Sequence, residues 1–406
     1  MTGVEYAVIL PTIWDYMHED FNANGIFMGT TISAFSISGV ISGLYMGKLS
    51  DSINFTKPIL LIGNLFEILG NLIYFIAINK WLILISRFIS GIGMGVTPVL
   101  VADIAKRTSK EERTSILTLV LSCRQLGLML GPVFNLFLSK FHFKISVFKI
   151  TNKNSPGFFM FIMWILIEIF IWTFYFDTHK ENSSTNLKIS SDETEDYLKD
   201  YKIVNYKDIE VIILVMATFI FSFNQTALET IVTPFTKEMF NWSEFSNSLL
   251  FGIAGVEIII VYIFVKILTK YFTDRFLLII GFVCFIVSLT IGIVFLSLLK
   301  PDESAHKYLP AFILFIVIDL IALPFISVAS TSLLTKLINK NLQGQAQGIQ
   351  RAFHGIGTIV GPLLAGLFIN HILILLFILL AFVLIILSLI CVYFNKLKDQ
   401  NHSINS

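Results

Sequence analysis

Among the ionisable residues inside apolar runs of this 406-residue chain, four are weighed first: Glu5, Arg87, Glu229 and Asp319. At the centre of a membrane helix such a charge costs on the order of 2.5–3.5 kcal/mol, so each needs a partner or a task. A carboxyl group in that setting suits two tasks, holding a solute and carrying a proton. Asn224 and Gln225 precede Glu229 by five and four residues, which puts the three on part of one helix surface as a polar site wall. Glu5 and Glu229 are therefore candidates for proton coupling or substrate binding, against the alternative of structural hydrogen bonds. For Arg87 the alternative is an acid partner that fixes helix packing. Counting from the ends of the runs puts Glu5 and Asp319 near mid-depth and Arg87 and Glu229 in one half of the membrane.

A second polar set is Gln347, Arg351 and His354, spaced i, i+4 and i+7 on one helix face. With Arg124 and Gln125 it suits an anion; the alternative is a gate or an interdomain salt bridge. Asn64, Glu67 and Asn71 also align on one face, and Glu168 and Glu257 lie in other apolar runs. Gly91-Ile-Gly93-Met-Gly95 has the look of a dinucleotide loop, but it follows a helix start and not a strand, which favours helix packing. Nothing in the chain resembles a catalytic triad, a metal site or a nucleotide fold, so neither enzymatic activity nor a cofactor is expected.

Composition sets the class that must position these groups. The chain is 55% hydrophobic and 14% charged, with mean hydropathy +0.79, too apolar for a soluble domain of this length. A net charge of +1 gives no reason to expect nucleic acid. Cys123, Cys284 and Cys391 fall in apolar runs at unrelated spacings and form neither a disulfide framework nor a metal site. Twelve apolar runs follow one another, at 1–17, 25–46, 58–79, 81–104, 114–138, 157–177, 209–234, 245–268, 276–299, 309–334, 344–370 and 372–394. They are taken as helices 1 to 12 of an all-α, multi-pass membrane protein. A spanning helix needs about 20 residues. Helix 1 falls short of that and is expected to be truncated at its N-terminus; a cleaved signal peptide is disfavoured by the missing basic flank.

Placing the helix 2–3 connection in the cytoplasm puts eighteen Lys and Arg on that side and eight on the other. The positive-inside rule then sets both termini in the cytoplasm, with the helix 5–6 loop as the one poor fit. A charged stretch at 178–208 cannot bury a core and reads as a cytoplasmic linker between two six-helix bundles, 1–177 and 209–394. Residues 395–406 form a cytoplasmic tail. Tyr201–Val204 and Tyr206–Ile209 fit a short sorting pattern that is common by chance.

Two segments tie the halves together. Gly127 and Gly131 with Pro132 recur as Gly357 and Gly361 with Pro362, each pair of glycines four apart on a helix face. Missing side chains let another helix come close, and two such segments at matching places suggest the internal repeat of a secondary transporter. Gly47-Lys-Leu-Ser-Asp51 with Lys57 follows helix 2, Arg87-Phe-Ile-Ser-Gly91-Ile-Gly93 lies in helix 4, and Asp103 and Arg113 close its end. Across the whole chain this set resembles the major facilitator superfamily. Gly47–Asp51 is similar to the family's cytoplasmic gating motif, Arg87–Gly93 to its helix 4 motif and Gly127–Pro132 to its helix 5 motif. Ser52 and Asn54 depart from the first pattern and Asn135 from the last, and Thr273-Asp274-Arg275 is the gating remnant in the second half.

Val8–Trp14, Asn64–Glu67, Cys123–Gly127, Leu228–Pro234 and Gly255–Glu257 resemble the lysosomal ceroid-lipofuscinosis branch, and more distantly the SPX-type vacuolar phosphate carriers. The resemblance implies helices 1, 4, 7 and 10 around a central cavity, placing Glu5, Arg87, Glu229 and Asp319 there. It implies a monomeric, lipid-embedded, proton-coupled transporter of a small solute, anionic if helices 5 and 11 bind it, in a lysosome-like membrane. A chloride-like conductance and a non-transporting receptor are the alternatives.

Overall fold

The computed structural model describes residues 1–52, 56–107, 123, 126–138, 143–145, 148–176, 208–298, 305–338 and 343–397. The linker, its sorting patterns, Arg113, Arg124 and Gln125 lie outside the described residues. Helix 1 is in two pieces, Thr2–Val8 and Leu10–Phe21. Helix 2 is Gly25–Ser52, helix 3 Lys57–Phe75, and helix 4 the pieces Lys80–Met94 and Val96–Arg107. Leu126–Leu138 belongs to helix 5. Helices 6 to 12 are Ser155–Phe174, Ile209–Phe240, Glu244–Leu268, Asp274–Leu298, Leu309–Leu337, Gln343–Leu367 and Ile372–Val392. Nine helices among the described residues are long and apolar enough to cross a membrane. This is the twelve-helix fold expected. The helix 5–6 connection adds a short antiparallel pair, Phe143–Ile145 with Phe148–Ile150.

Proline and asparagine mark the helix ends. Pro11, Pro58, Pro156 and Pro310 sit in first turns, where no intrahelical N–H is lost. Helices 1 and 7 both end in Phe-Asn, and Asn22 and Asn241 both turn left-handed, with φ of 49° and 51°. That shared ending is a further trace of the repeat. Pro234, Pro324 and Pro362 lie inside helices, as membrane helices allow when neighbours satisfy the freed carbonyls.

Buried apolar residues form two main clusters, one drawn from positions 4–164 and one from 211–397. The paired glycines act at equivalent joints. A Cβ added to Gly131 would lie 2.8 Å from the Ala7 Cβ on helix 1, and one on Gly361 would lie 2.9 Å from the Phe223 carbonyl on helix 7. Overpacking of this kind costs about 1–3 kcal/mol. Gly131→Val and Gly361→Val should each reduce the yield of monodisperse protein in size-exclusion chromatography; wild-type yield from both would contradict the close approach.

The two clusters meet at one end of the molecule, which carries the helix 1–2, 7–8 and 11–12 connections. There helix 2 packs on helix 11, the Ser33 hydroxyl donates to the Ile359 carbonyl at 2.7 Å, and Thr233 donates to the Leu10 carbonyl at 3.1 Å. Asn135, where the family pattern has glycine, donates to Ser248 at 2.9 Å and so ties helix 5 to helix 8. At the opposite end Gly47 and Gly348 have nothing within 4 Å of an added Cβ, and Leu44, Tyr45 and Arg351 are exposed.

Candidate functional site

Helices 1, 5, 7, 8 and 10 line one cavity that opens at its mouth. Helix 4 contributes no described residue to its lining. Most of the wall is apolar, from Leu10, Leu128, Met129, Leu228, Val232, Phe251, Ile258, Phe315 and Leu323. The polar lining comes from Tyr6, Gln225, Glu229 and Asp319. Glu229 is half-buried and accepts from Gln225 Nε2 at 2.8 Å and from the Tyr6 hydroxyl at 3.1 Å. The first bond is the i, i+4 pair expected on helix 7, and the second crosses from helix 1 to helix 7. Tyr6 gives no sequence signal, being one aromatic among many.

Asp319 is 4% exposed and also lines the cavity. Asn224 Nδ2 donates to both its oxygens, at 3.0 and 3.1 Å, and the Ser288 hydroxyl donates at 3.3 Å. Asn224 therefore turns toward helix 10 and supports Asp319; it does not line the cavity beside Gln225 and Glu229. One residue of helix phase, 100°, separates the two directions.

Glu5 and Arg87 do not line the cavity. They lie buried between helices 1, 3, 4 and 6, with Arg87 Nη1 3.5 Å from Glu5 Oε1. Glu5 also accepts from Asn71 Nδ2 at 2.8 Å and from the Trp164 indole N–H. Arg87 donates to Asn71 Oδ1 and Ser90 Oγ, both at 3.3 Å, and its guanidinium lies 5.0 Å from the Tyr74 ring centre. The acid that Arg87 meets is Glu5 on helix 1, in its own half of the chain, and not Glu229. Helix 3 is part of the same cluster. Glu67 is 1% exposed and packs on Gly93, where an added Cβ would lie 2.8 Å from its carboxyl carbon. Asn64, Glu67 and Asn71 share one helix 3 face in the sequence, but nothing local marks Asn71 as the bridge between Glu5 and Arg87.

The helix 11 set does not line the cavity either. Gln347 is half-buried, Arg351 is exposed, and His354 stacks on Phe221 at 6.0 Å. Gln350 is the inward glutamine, donating to Thr218 at 2.9 Å and Thr331 at 3.2 Å. The gating motif is described in part. Lys57 donates to the Trp172 carbonyl at 2.7 Å, and Asp103 accepts from Thr56 at 3.2 Å and Tyr175 at 2.5 Å. In the second half Asp274 accepts from Lys336 at 2.8 Å and Ser332 at 2.6 Å. The helix 3–helix 4 and helix 9–helix 10 corners thus use the same kind of tie with acid and partner exchanged. Among the described residues no cluster of His, Cys, Asp and Glu is placed to hold a metal.

An ionic latch crosses the closed end. Lys237 on helix 7 lies 3.1 Å from Glu19 and 3.8 Å from Asp15 on helix 1. Lys153, from the lysine-bearing helix 5–6 loop, lies 2.9 Å from Glu19 and 2.6 Å from Asp20. The Lys153 hydrogen bond holds the Glu19 carboxyl below its ordinary value of 4.5, against burial. Burial disfavours the Lys153 ammonium, but its bonds to Asp20 and Glu19 prevail and raise its pKa. A lowered acid pKa stabilises the closed state above the ordinary value, and that support is lost only as pH falls through the lowered one. Mild acid therefore leaves the Glu19 tie intact, whereas salt screens it. Each exposed bridge contributes about 0.2–1 kcal/mol. Lys237→Ala should raise thiol labelling of Thr233→Cys from the closed end by no more than several-fold; unchanged labelling would remove the latch.

Two helical clusters that meet around an apolar, acid-bearing cavity define a multi-pass membrane protein with the architecture of a transporter. The chain belongs to the Major Facilitator Superfamily, whose family profile matches residues 1–256 and 214–405. It is 25% identical over 298 residues to Major facilitator superfamily domain-containing protein 8 of Xenopus laevis, covering 69% of this chain and 58% of that protein. The chain thus spans little more than half the length of that relative. It is also 25% identical over 365 residues to Quinolone resistance protein NorA of Staphylococcus aureus (strain COL), covering 88% of this chain and 84% of NorA. The fold superposes on the D-xylose-proton symporter with a TM-score of 0.73 at 15% identity, covering 96% of this chain and 93% of the symporter. A bacterial homolog of the human lysosomal transporter Spinster, inward-facing and occupied, gives 0.68 at 13% identity, with 96% and 94% covered.

Proposed function

We propose that this chain is a secondary transporter that moves a small solute by alternating access, coupled to protons at Glu229 and Asp319. The observation that carries this reading is the cavity itself: two carboxyl groups face one apolar chamber that is tied shut at one end, while at the other no hydrogen bond or ion pair joins the two bundles among the described residues. The rocking units are the bundles 1–177 and 209–394, joined by the linker 178–208. Closing the second end removes water from the chamber, and an ionised carboxylate there opposes closure. A proton or a cation on the acid removes that opposition, which makes closure conditional on loading. Differential stabilisation of two states by the same ligand is what coupling requires.

The orientation set by lysine and arginine puts the latch on the non-cytoplasmic face and the opposite end in the cytoplasm. The resemblance carried by Leu228–Pro234 and Gly255–Glu257 supports a lysosome-like membrane. Glu5, Arg87 and Asn71 hold helices 1, 3, 4 and 6 as one body, and no solute role is assigned to them. An anion conductance drawing on Arg87, Arg124 and Arg351 has less support, because Arg87 is occupied by Glu5 and Asn71 and Arg351 lies outside the cavity.

Flux separates the readings. Proteoliposomes holding the protein should show saturable uptake and counterflow of a solute found by comparing the metabolites of organelles with and without it. Unitary currents too large for a turnover cycle would establish the conductance instead.

A further inference from the structure

We infer that Glu67 holds a proton and donates it to Glu5, which makes the two carboxyls a proton-binding bridge between helix 3 and helix 1, separate from the cavity. The inference goes beyond the transporter reading and does not depend on it. Neither acid lines the cavity, and both are nearly inaccessible, Glu5 at 0% and Glu67 at 1% exposure.

Donors come first. An ionised carboxylate buried in a helix bundle needs several of them. Glu5 has three: Asn71 Nδ2, Arg87 Nη1 and the Trp164 indole N–H. Glu67 has none among the described residues, for either of its oxygens. Its carboxyl nevertheless lies within hydrogen-bonding reach of the Glu5 carboxyl. Two ionised carboxylates hold no hydrogen between them and repel, so such an approach requires a proton. A carboxylate accepts about four hydrogen bonds, and the three donors to Glu5 leave one position open. A protonated Glu67 fills it, and a neutral acid is buried at much lower cost than a charge.

Charge gives the same answer. Helix 4 offers one guanidinium, whose Nη groups are directed to Glu5, Asn71 and Ser90. Its remaining Nε–H finds no acceptor among the described residues, Glu67 included. One proton leaves Glu5, Glu67 and Arg87 together without net charge. The other titratable groups around the cluster are the Met1 amino group on helix 1, Tyr74 on helix 3, Glu168 on helix 6 beside Asn64, and Cys123 on helix 5 near Met1. None of them donates to Glu67. Helices 1, 3, 4 and 6 belong to one bundle, so rocking between the bundles leaves these contacts in place. The proton is held, not transported. Its loss sets two carboxylates against each other across helices 1 and 3.

The test uses the full chain with an N-terminal affinity tag, which moves the amino group away from Met1. Infrared spectra at neutral pH should contain the carbonyl stretch of a protonated carboxyl that disappears in Glu67→Gln. Glutamine has the shape of the protonated acid and still offers an N–H to Glu5, so the variant should be monodisperse. A proton held by the native chain and lost by the unfolded one favours unfolding by about tenfold per pH unit as pH rises. The melting temperature should therefore fall more steeply with rising pH in the parent chain than in Glu67→Gln. Glu67→Leu, with no donor for Glu5, should melt below Glu67→Gln at neutral pH. Identical infrared spectra would mean that Glu67 is ionised and would overturn the inference, as would aggregation of Glu67→Gln. A melting temperature that follows added sodium, with no carboxyl band, would assign the positive charge to a metal ion instead.

Discussion

Glu229→Gln should abolish pH-driven net flux while sparing exchange of solute for solute. Glutamine keeps the shape of the side chain and can still meet Gln225 and the Tyr6 hydroxyl, so helix 1 and helix 7 stay joined. What it loses is ionisation. In the proposed cycle the acid must discharge its proton before the empty carrier can return, and the amide has no proton to discharge. Exchange does not require that empty return and continues. The loss of net flux should reach about a hundredfold, the lower range for a positioned acid–base group. Asp319→Asn is expected to act in the same direction, with lower abundance, since Asn224 and Ser288 both donate to Asp319. Normal pH-driven flux by well-folded Glu229→Gln protein would remove Glu229 from the coupling mechanism.

Breaking the Glu5–Arg87 pair should produce the largest loss of stability. Both side chains are nearly inaccessible, at 0% and 1% exposure. Removing one partner of a buried pair typically costs about 3–5 kcal/mol, because the other charge is left uncompensated. Glu5→Gln strands the guanidinium among Asn71, Ser90 and the Tyr74 ring. Arg87→Leu leaves Glu5 with Asn71 and Trp164, beside the buried Glu67. Each single variant should lose abundance and melt at lower temperature, and Glu5→Leu/Arg87→Leu should recover part of the loss. If the double variant is no better than the sum of the single ones, the two residues do not act as a pair.

Much of the architecture is legible in the sequence because a membrane imposes it. Apolar runs of spanning length, prolines at helix starts, and the paired glycines before Pro132 and Pro362 each report a local constraint. The acids of the cavity are legible for the same reason, since Glu229 and Asp319 stand out in apolar surroundings. Partners are not legible in that way. Arg87 meets Glu5 from 82 positions away and Asn71 from 16, and no local pattern distinguishes those acceptors from Glu229. Helix 11 is an instructive middle case. Gln347, Arg351 and His354 form a correct i, i+4, i+7 face, but Gln350 lies seven and eleven residues before Gly357 and Gly361, which pack on helix 7. Those intervals return to the same helix face, so the glycines already point to Gln350 as the inward residue. Lys153 had no such signal: its loop looked out of place by charge alone, and only the ion pairs with Glu19 and Asp20 account for it.

The central claim is that the two ends open in turn, and a pair of distances tests it most directly. Spin labels at Ile78→Cys with Asn370→Cys span the latch end, and labels at Tyr45→Cys with Tyr271→Cys span the other, all four being exposed positions. Cys123, Cys284 and Cys391 are first replaced by serine, since all three are free thiols. Acidification, or addition of transported solute, should lengthen the first distance and shorten the second, and Glu229→Gln should show one such population without the pH response. Distances that stay fixed, or that change in the same direction at both ends, would contradict alternating access.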